Sequence, residues 1–372
     1  MLHTENAPSE RNRAIIAYIE GERMIKSVKI ENFRCYEKIH LTGLQRVNIV
    51  VGENGSGKTA LFEAMFFLGG LSNEIYLRLK TQRLMPEVRI GTTIKTLQDL
   101  FGDYFRDFDM NRPIYLETKG STAETRNVSI FFDKSDVPEI PTGEIVDSVA
   151  TVPPLHFKGK YDSSKAFHEK AVLQDDKLAL PSFPSPVKAA FFPSGMKIQP
   201  KEAADQFSDL EAKGQLDDVL KIIKDVYPFV SDLSIVTKDG KGMVWARVNN
   251  SKQKQPITLI SEGVNKLVGL LLYIKSVPYS HVLIDEIENG FYYKTLPKIW
   301  NALYALASKS NVQLFISTHS DECLQALLPT IRKHPKDFCL LNTNRNKDGY
   351  SISETQGEYF EAALKGRVEV RS

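Results

Sequence analysis

Two kinds of apolar pattern run along this chain, and they predict two kinds of strand. In Ile25-Lys26-Ser27-Val28-Lys29-Ile30 apolar and polar positions interleave, as in a strand with one face buried. Ile114 to Thr118 and Asn127 to Phe132 read the same way and predict an antiparallel pair joined near Lys119-Gly120-Ser121. Leu233 to Thr237 and Met243 to Val248 predict a second hairpin about Asp239-Gly240-Lys241-Gly242. By contrast Val47 to Val51, His281 to Ile284 and Val312 to Ile316 are almost continuously apolar. Such runs, with helices between them, predict parallel strands buried on both faces. Helices are expected over Ala60 to Leu68, from Ala203 through Ile223, from Ser261 to about Ser276 and from Tyr293 to Ser308. Phe338 to Leu341, Tyr350 to Ile352 and Glu358 to Leu364 look like closing strands and a helix.

The pattern divides the chain. Residues 1–23 read as an appendage, with a short helix over Ala14 to Ile19. Residues 24–70 and 231–372 form an α/β core, a mixed sheet with flanking helices. Residues 71–230 read as an insertion, part antiparallel β subdomain and part loops and helix, serving as a lid or partner-docking region. Its prolines, among them Pro153-Pro154 and the Pro181 to Pro186 cluster, break helices and central strands.

Composition changes this picture little. The chain has 372 residues, 42% apolar and 25% charged, with a formal net charge of +2. That is an ordinary globular balance, which neither requires nor excludes nucleic acid. Cys35, Cys323 and Cys339 form no C-x-x-C pair, so neither a zinc site nor a disulfide framework is expected. No apolar stretch reaches the length of a membrane span, and Met1 to Glu10 is unlike a secretion signal. The expected location is the cytoplasm, with no membrane partner.

The chemistry lies at the ends of the apolar runs. Gly52-Glu53-Asn54-Gly55-Ser56-Gly57-Lys58-Thr59 follows one such strand and opens a helix. That is the order of a phosphate-binding loop. Its glycines let backbone N–H groups point at a polyphosphate, with Asn54, Gly55, Ser56 and Gly57 forming the cradle. Lys58 is expected to reach the outer phosphates of ATP, and Thr59 to offer its hydroxyl to Mg²⁺. Asp285 ends a second strand and is the expected carboxylate for that metal. Glu286 is the expected catalytic residue that orients or deprotonates water, although Glu288 stands only two residues on. His319, after a third strand, is placed to sense the γ-phosphate. Ser261 and Gly263 open a helix, whose free N–H groups make an anion site.

With these motifs in this order the chain resembles the ATPase heads of the ABC superfamily outside transport. In particular it resembles the overcoming-lysogenization-defect (OLD) type and RecF- and SMC-like heads. Ile30-Glu31-Asn32-Phe33-Arg34 is similar to their first strand and turn, Ile284 to Gly290 to their Walker B and D-loop, and Ser317 to Ser320 to their switch. The resemblance implies a P-loop NTPase fold and two heads meeting head to tail around two ATP molecules, as a homodimer or a higher even-numbered oligomer. Ser261 and Gly263 of one head would face the γ-phosphate held by Lys58 of the other, and Arg34 would lie near the phosphates. The signature departs from the transporter pattern, with Ile260-Ser261-Glu262-Gly263-Val264. Phe291-Tyr292-Tyr293 stands where many relatives carry Leu-His-Pro. Gln82, Gln98 and Gln199 remain open as the Q-loop glutamine.

The residues after His319 read as the closing strands and helix of the head, so the Toprim nuclease of OLD proteins is not expected in them. The resemblance then implies a separate effector, a nuclease or toxin such as a Toprim- or RloB-like protein, in antiviral defence. Two alternatives stay open: a RecF-like DNA repair or loading ATPase, and a nucleotide-gated scaffold with negligible turnover. Arg78, Lys80, Arg83 and Arg89 would be the basic surface of the RecF-like reading.

Overall fold

The computed structural model describes residues 24–69, 97–120, 125–133, 154–161, 166–174, 177–179, 189–194, 200–238, 240–249, 251–277 and 281–364. The expected helix over Ala14 to Ile19, the basic cluster from Arg78 to Arg89, and Gln82 and Gln199 lie outside these residues.

Strand β1 (Ile25–Phe33) alternates buried and half-buried positions, as its sequence predicts, and turns back into β2 (Tyr36–Leu41). β3 (Val47–Gly52) is buried at every position and leads through the glycine loop into helix α1 (Lys58–Gly69). A short helix α2 (Leu97–Phe101) precedes β4 (Ile114–Gly120), β5 (Thr125–Phe132), β6 (Leu155–Tyr161), β7 (Phe167–Gln174) and β8 (Lys177–Ala179). These join β1 and β2 in a seven-stranded antiparallel sheet of order β2-β1-β4-β5-β6-β7-β8. The antiparallel pairing predicted between residues 114–118 and 127–132 is present, with Leu116 opposite Val128.

The next strand, β9 (Ala189–Phe192), lies in the proline-rich stretch. Helices α3 (Pro200–Ala212) and α4 (Asp217–Val226) lead to a three-stranded sheet of β10 (Val230–Lys238), β11 (Lys241–Val248) and β12 (Gln255–Pro256). Then come α5 (Glu262–Ser276), β13 (His281–Ile284), α6 (Leu296–Lys309), β14 (Gln313–Ser317), α7 (Asp321–Lys333), β15 (Phe338–Asn346) and β16 (Gly349–Gln356). The six-stranded sheet has the order β16-β15-β3-β14-β13-β9, and only β16 runs antiparallel to its neighbour. Residues 71–230 thus add strands to both large sheets. The helix expected from Tyr293 starts with a 3₁₀ turn over Tyr293–Thr295 and becomes α-helical at Leu296.

Why β3, β13 and β14 are apolar throughout is visible in the two cores. Ile49, Val282, Ile284, Leu314 and Ile316 face one core, packed against the helices on that side. Val50, Leu283 and Phe315 point the other way, into a second core shared with α1 and the antiparallel sheet. α1 lies between the two sheets and is buried nearly all round: Phe62 and Phe66 meet Phe191, and Phe67 meets Phe33 and Tyr104. Each such phenylalanine contributes about 1.5–3 kcal/mol through burial. Its one acidic residue, Glu63, is fully buried and pairs with Arg34 at 3.0 Å. The mixed sheet with flanking helices and a separate antiparallel sheet is the α/β architecture expected from the sequence.

Candidate functional site

The parallel strands bring their carboxyl ends to one edge, where ligands of α/β sheets bind. A cleft of about 690 Å³ opens there. Asn54, Gly55, Gly57, Lys58 and Thr59 line it from the glycine loop, Asp285 and Glu286 from the end of β13, His319 from the end of β14, and Arg34 from the β1–β2 turn.

The loop holds its shape through its glycines and its neighbours. Gly57 has φ of 102°, and a Cβ there would come within 2.6 Å of the Tyr36 hydroxyl. That hydroxyl donates to the Gly57 carbonyl at 2.9 Å. Ser56 is buried, and its hydroxyl pairs with the Thr343 hydroxyl at 2.6 Å. Its side chain therefore braces the loop from behind. Lys58 Nζ donates to the carbonyls of Gly52 and Glu53 at 2.9 and 2.8 Å. α1 starts at Lys58, so the free N–H groups of its first turn point into the cleft, a natural anion site.

At β13 the two acids have different surroundings. Asp285 is buried; Ser317 donates its hydroxyl to Oδ1, and the Thr59 hydroxyl donates to Oδ2 at 3.4 Å. Burial raises the Asp285 pKa above the usual carboxylate value. Glu286 has φ of 48°, a strained conformation for a residue with a side chain. Its backbone N–H donates to Ser317 Oγ at 2.8 Å. The Ser194 hydroxyl donates to Oε2, and so does Asn289 Nδ2 at 2.6 Å. These donors, Ser194 foremost, hold its pKa below the usual value, so it is ionised at neutral pH. His319 Nε2 lies 3.5 Å from Oε1. Glu288 instead accepts the backbone N–H of His319 at 2.8 Å and is not among the cleft residues. Of Glu286 and Glu288, only the first lines the cleft.

Thr59 and Asp285 offer hydroxyl and carboxylate oxygens, the donors a hard dication prefers. Among the described residues no group of three or more His, Cys, Asp and Glu is close enough to form a metal cage. Two protein oxygens fit Mg²⁺, which keeps waters and binds substrate phosphates.

Ser261 caps α5, accepting the Val264 N–H at 3.1 Å. Gly263 is buried against the turn after β13; a Cβ there would lie 2.6 Å from the Gly290 carbonyl oxygen. Neither lines the cleft of its own chain. Arg34 does line it, but its guanidinium is also committed: Nε to Glu63 at 3.0 Å, a terminal nitrogen to Asp103 Oδ2 at 2.9 Å, and its plane 4.4 Å from the Tyr104 ring. Gln98, in α2, is not a cleft residue.

Sequence reasoning missed four residues. Ser194 follows β9, the strand beside β13, and reaches Glu286 from there. Ser317 was visible only as part of the switch motif. Lys266, on α5, donates from Nζ to the carbonyls of Glu286, Ile287 and Asn289 at 3.1, 3.2 and 2.9 Å. Glu63 was hidden in an apolar helix; one acid in such a run was the only signal.

Comparisons with known proteins identify the family and the fold. The family model described as "AAA domain, putative AbiEii toxin, Type IV TA system" matches residues 47–324, and the chain belongs to that family. An ATP/GTP phosphatase of Helicobacter pylori is 24% identical, over 91% of this chain and 97% of that protein. The DNA replication and repair protein RecF of Clostridioides difficile is 46% identical over 44 residues, 12% of each protein. An SMC head solved with the C-terminal winged-helix domain of ScpA superposes with a TM-score of 0.50, at 16% identity, covering 90% of this chain and 98% of that one. The fold is that of the ABC-type ATPase heads to which RecF and SMC belong.

Proposed function

We propose that this member of the AAA-domain family is a Mg²⁺-dependent ATP hydrolase whose ATP-driven dimerisation controls a separate effector protein, in antiviral defence. The observation that carries the reading is the convergence of Lys58, Thr59, Asp285, Glu286 and His319 on one cleft. In this reading Gly55, Gly57 and Lys58 hold the polyphosphate. Mg²⁺, held by Thr59 and Asp285, supplies charge neutralisation at the phosphates. Ionised Glu286 orients and deprotonates the attacking water, and His319 hydrogen-bonds the outer phosphate.

Head-to-tail pairing is supported by what the cleft lacks. Ser261 and Gly263 sit at a helix N-terminus outside the cleft of their own chain. Beside them Leu259, Tyr292 and Tyr293 expose large apolar surface. A second copy would cover that surface and bring Ser261 to the first copy's nucleotide. The effector reading draws on the family description, which names a toxin system, and on the SMC head, which was solved with a partner domain.

The RecF-like alternative draws on the short RecF match, which covers 44 residues and 12% of each protein. Purification of Glu286→Gln protein from its native host, with mass spectrometry of what comes with it, separates the two. A stoichiometric nuclease or toxin supports effector control. Recovery of the protein alone with bound DNA sinks it in favour of the RecF-like role.

A further inference from the structure

The cleft continues beyond the phosphate loop to a wall formed by Phe105, Asp107 and Phe108. This wall is anchored on both sides of its tip. Phe105 is buried, bridges to Phe33 and packs on Phe132 with ring centroids 5.7 Å apart. Arg106 pairs with Glu37 at 2.6 Å. On the far side Asp109 pairs with Arg112 at 3.2 Å and accepts the Asn111 N–H at 3.1 Å. The β1–β2 turn ties wall and loop together: the Arg34 N–H donates to the Tyr104 carbonyl at 2.7 Å, and the Tyr36 hydroxyl to Gly57 at 2.9 Å. Wall and phosphate loop are therefore tied through three consecutive residues, Arg34 to Tyr36, by one backbone N–H and one side-chain hydroxyl.

The tip itself is strained. Asp107 and Phe108 have φ of 53° and 57°. Left-handed backbone is a genuine outlier for a residue as bulky as Phe108. Burial of the ring does not offset this strain, because Phe108 is 69% exposed. The turn gives up backbone comfort and apolar burial together. What it gains is an open aromatic face at the mouth of a cleft whose other end is built for phosphates.

We propose that Phe108 is the stacking platform for the base of the bound nucleotide. The inference rests on the proposed nucleotide site and adds the subsite for the base. A purine ring laid on Phe108 would cover its exposed face, while the triphosphate reaches the loop at Lys58. Stacking accepts any base, because every base presents a π-face. The platform therefore supplies affinity without choosing strongly between ATP and GTP.

Calorimetric titration of the full chain with Mg²⁺ and ATPγS, GTPγS or inorganic tripolyphosphate tests this. Phe108→Ala should weaken both nucleotides about tenfold and leave tripolyphosphate unchanged. Phe108→Trp should keep nucleotide affinity and add a tryptophan emission that nucleotide quenches and tripolyphosphate does not. The ring is exposed, so neither substitution removes core packing. Unchanged nucleotide binding by Phe108→Ala, with tripolyphosphate still bound, overturns the platform and leaves the phosphate site standing. Equal weakening of nucleotide and tripolyphosphate also overturns it, since Phe108 would then act on the loop's shape. Failure of the native chain to bind any of the three removes the site and the platform together.

Discussion

The hydroxyl of Ser317 accepts the backbone N–H of Glu286 at 2.8 Å. The same hydroxyl donates to Asp285, so one side chain at the end of β14 sets the two acids at the end of β13. It holds Glu286 in its left-handed conformation without touching the cleft. Ser317→Ala should lower kcat for ATP hydrolysis about 10- to 100-fold, the usual loss when a residue that orients functional ligands is removed. KM should change little, because the phosphate loop is untouched. Steady-state phosphate release checks this; a KM defect with normal kcat would mean that Ser317 supports binding instead.

Glu286→Gln keeps the shape of the side chain and removes its charge. Nucleotide binding should survive, and hydrolysis should fall by about 10²-fold or more. With the closed state no longer discharged, a species of twice the monomer mass should accumulate on addition of ATP and Mg²⁺. Light scattering that shows one mass with and without nucleotide would refute the dimer.

Lys58→Ala removes the only lysine of the phosphate loop. Turnover should be lost and nucleotide affinity reduced by about tenfold or more, since a charge-assisted contact contributes about 1.5–3 kcal/mol. Native turnover in this variant would remove the loop from the mechanism.

Lys266 braces the turn after Glu286 with three carbonyl contacts. Burial lowers its pKa to about 8, against the pull of Glu288, Glu262, Cys323 and Glu286 around it. The ammonium therefore loses its proton as pH rises through about 8, and the carbonyls lose a charged donor. Hydrolysis should decline between about pH 7 and 9, well below the lysine's ordinary range. Lys266→Arg, charged throughout, should flatten that limb. A pH–rate profile unchanged by Lys266→Arg would assign the decline to another group.

Arg34→Met removes the guanidinium that pairs with buried Glu63 of α1. Breaking such a pair from one side costs about 3–5 kcal/mol. Urea denaturation should show the loss as a lower midpoint with an unchanged slope. Stability within about 1 kcal/mol of the native chain would mean that the Arg34 pair contributes little to the fold.

Local chemistry determined much of this protein. A strand, glycine loop and helix are contiguous, so residues 47–68 carried the candidate phosphate site in their order alone. Asp285 and His319 could be placed because an apolar run of strand length exposes whatever follows it at the sheet's carboxyl edge. Alternation in β1, β4 and β5 announced a sheet with one buried face. What the tertiary structure decided were pairings between distant residues, which carry no periodic signal. Ser194 meets Glu286 because β9, out of a proline-rich stretch, pairs in parallel with β13. Glu63 is tolerated in a buried helix because the β1–β2 turn delivers Arg34 to it. Glu286 rather than Glu288 faces the cleft because a positive φ and the Ser317 hydroxyl turn the chain there. Strain of this kind, and that at Phe108, persists only where surrounding contacts over-determine the backbone. Those contacts come from segments far apart in sequence, and only folding brings them together.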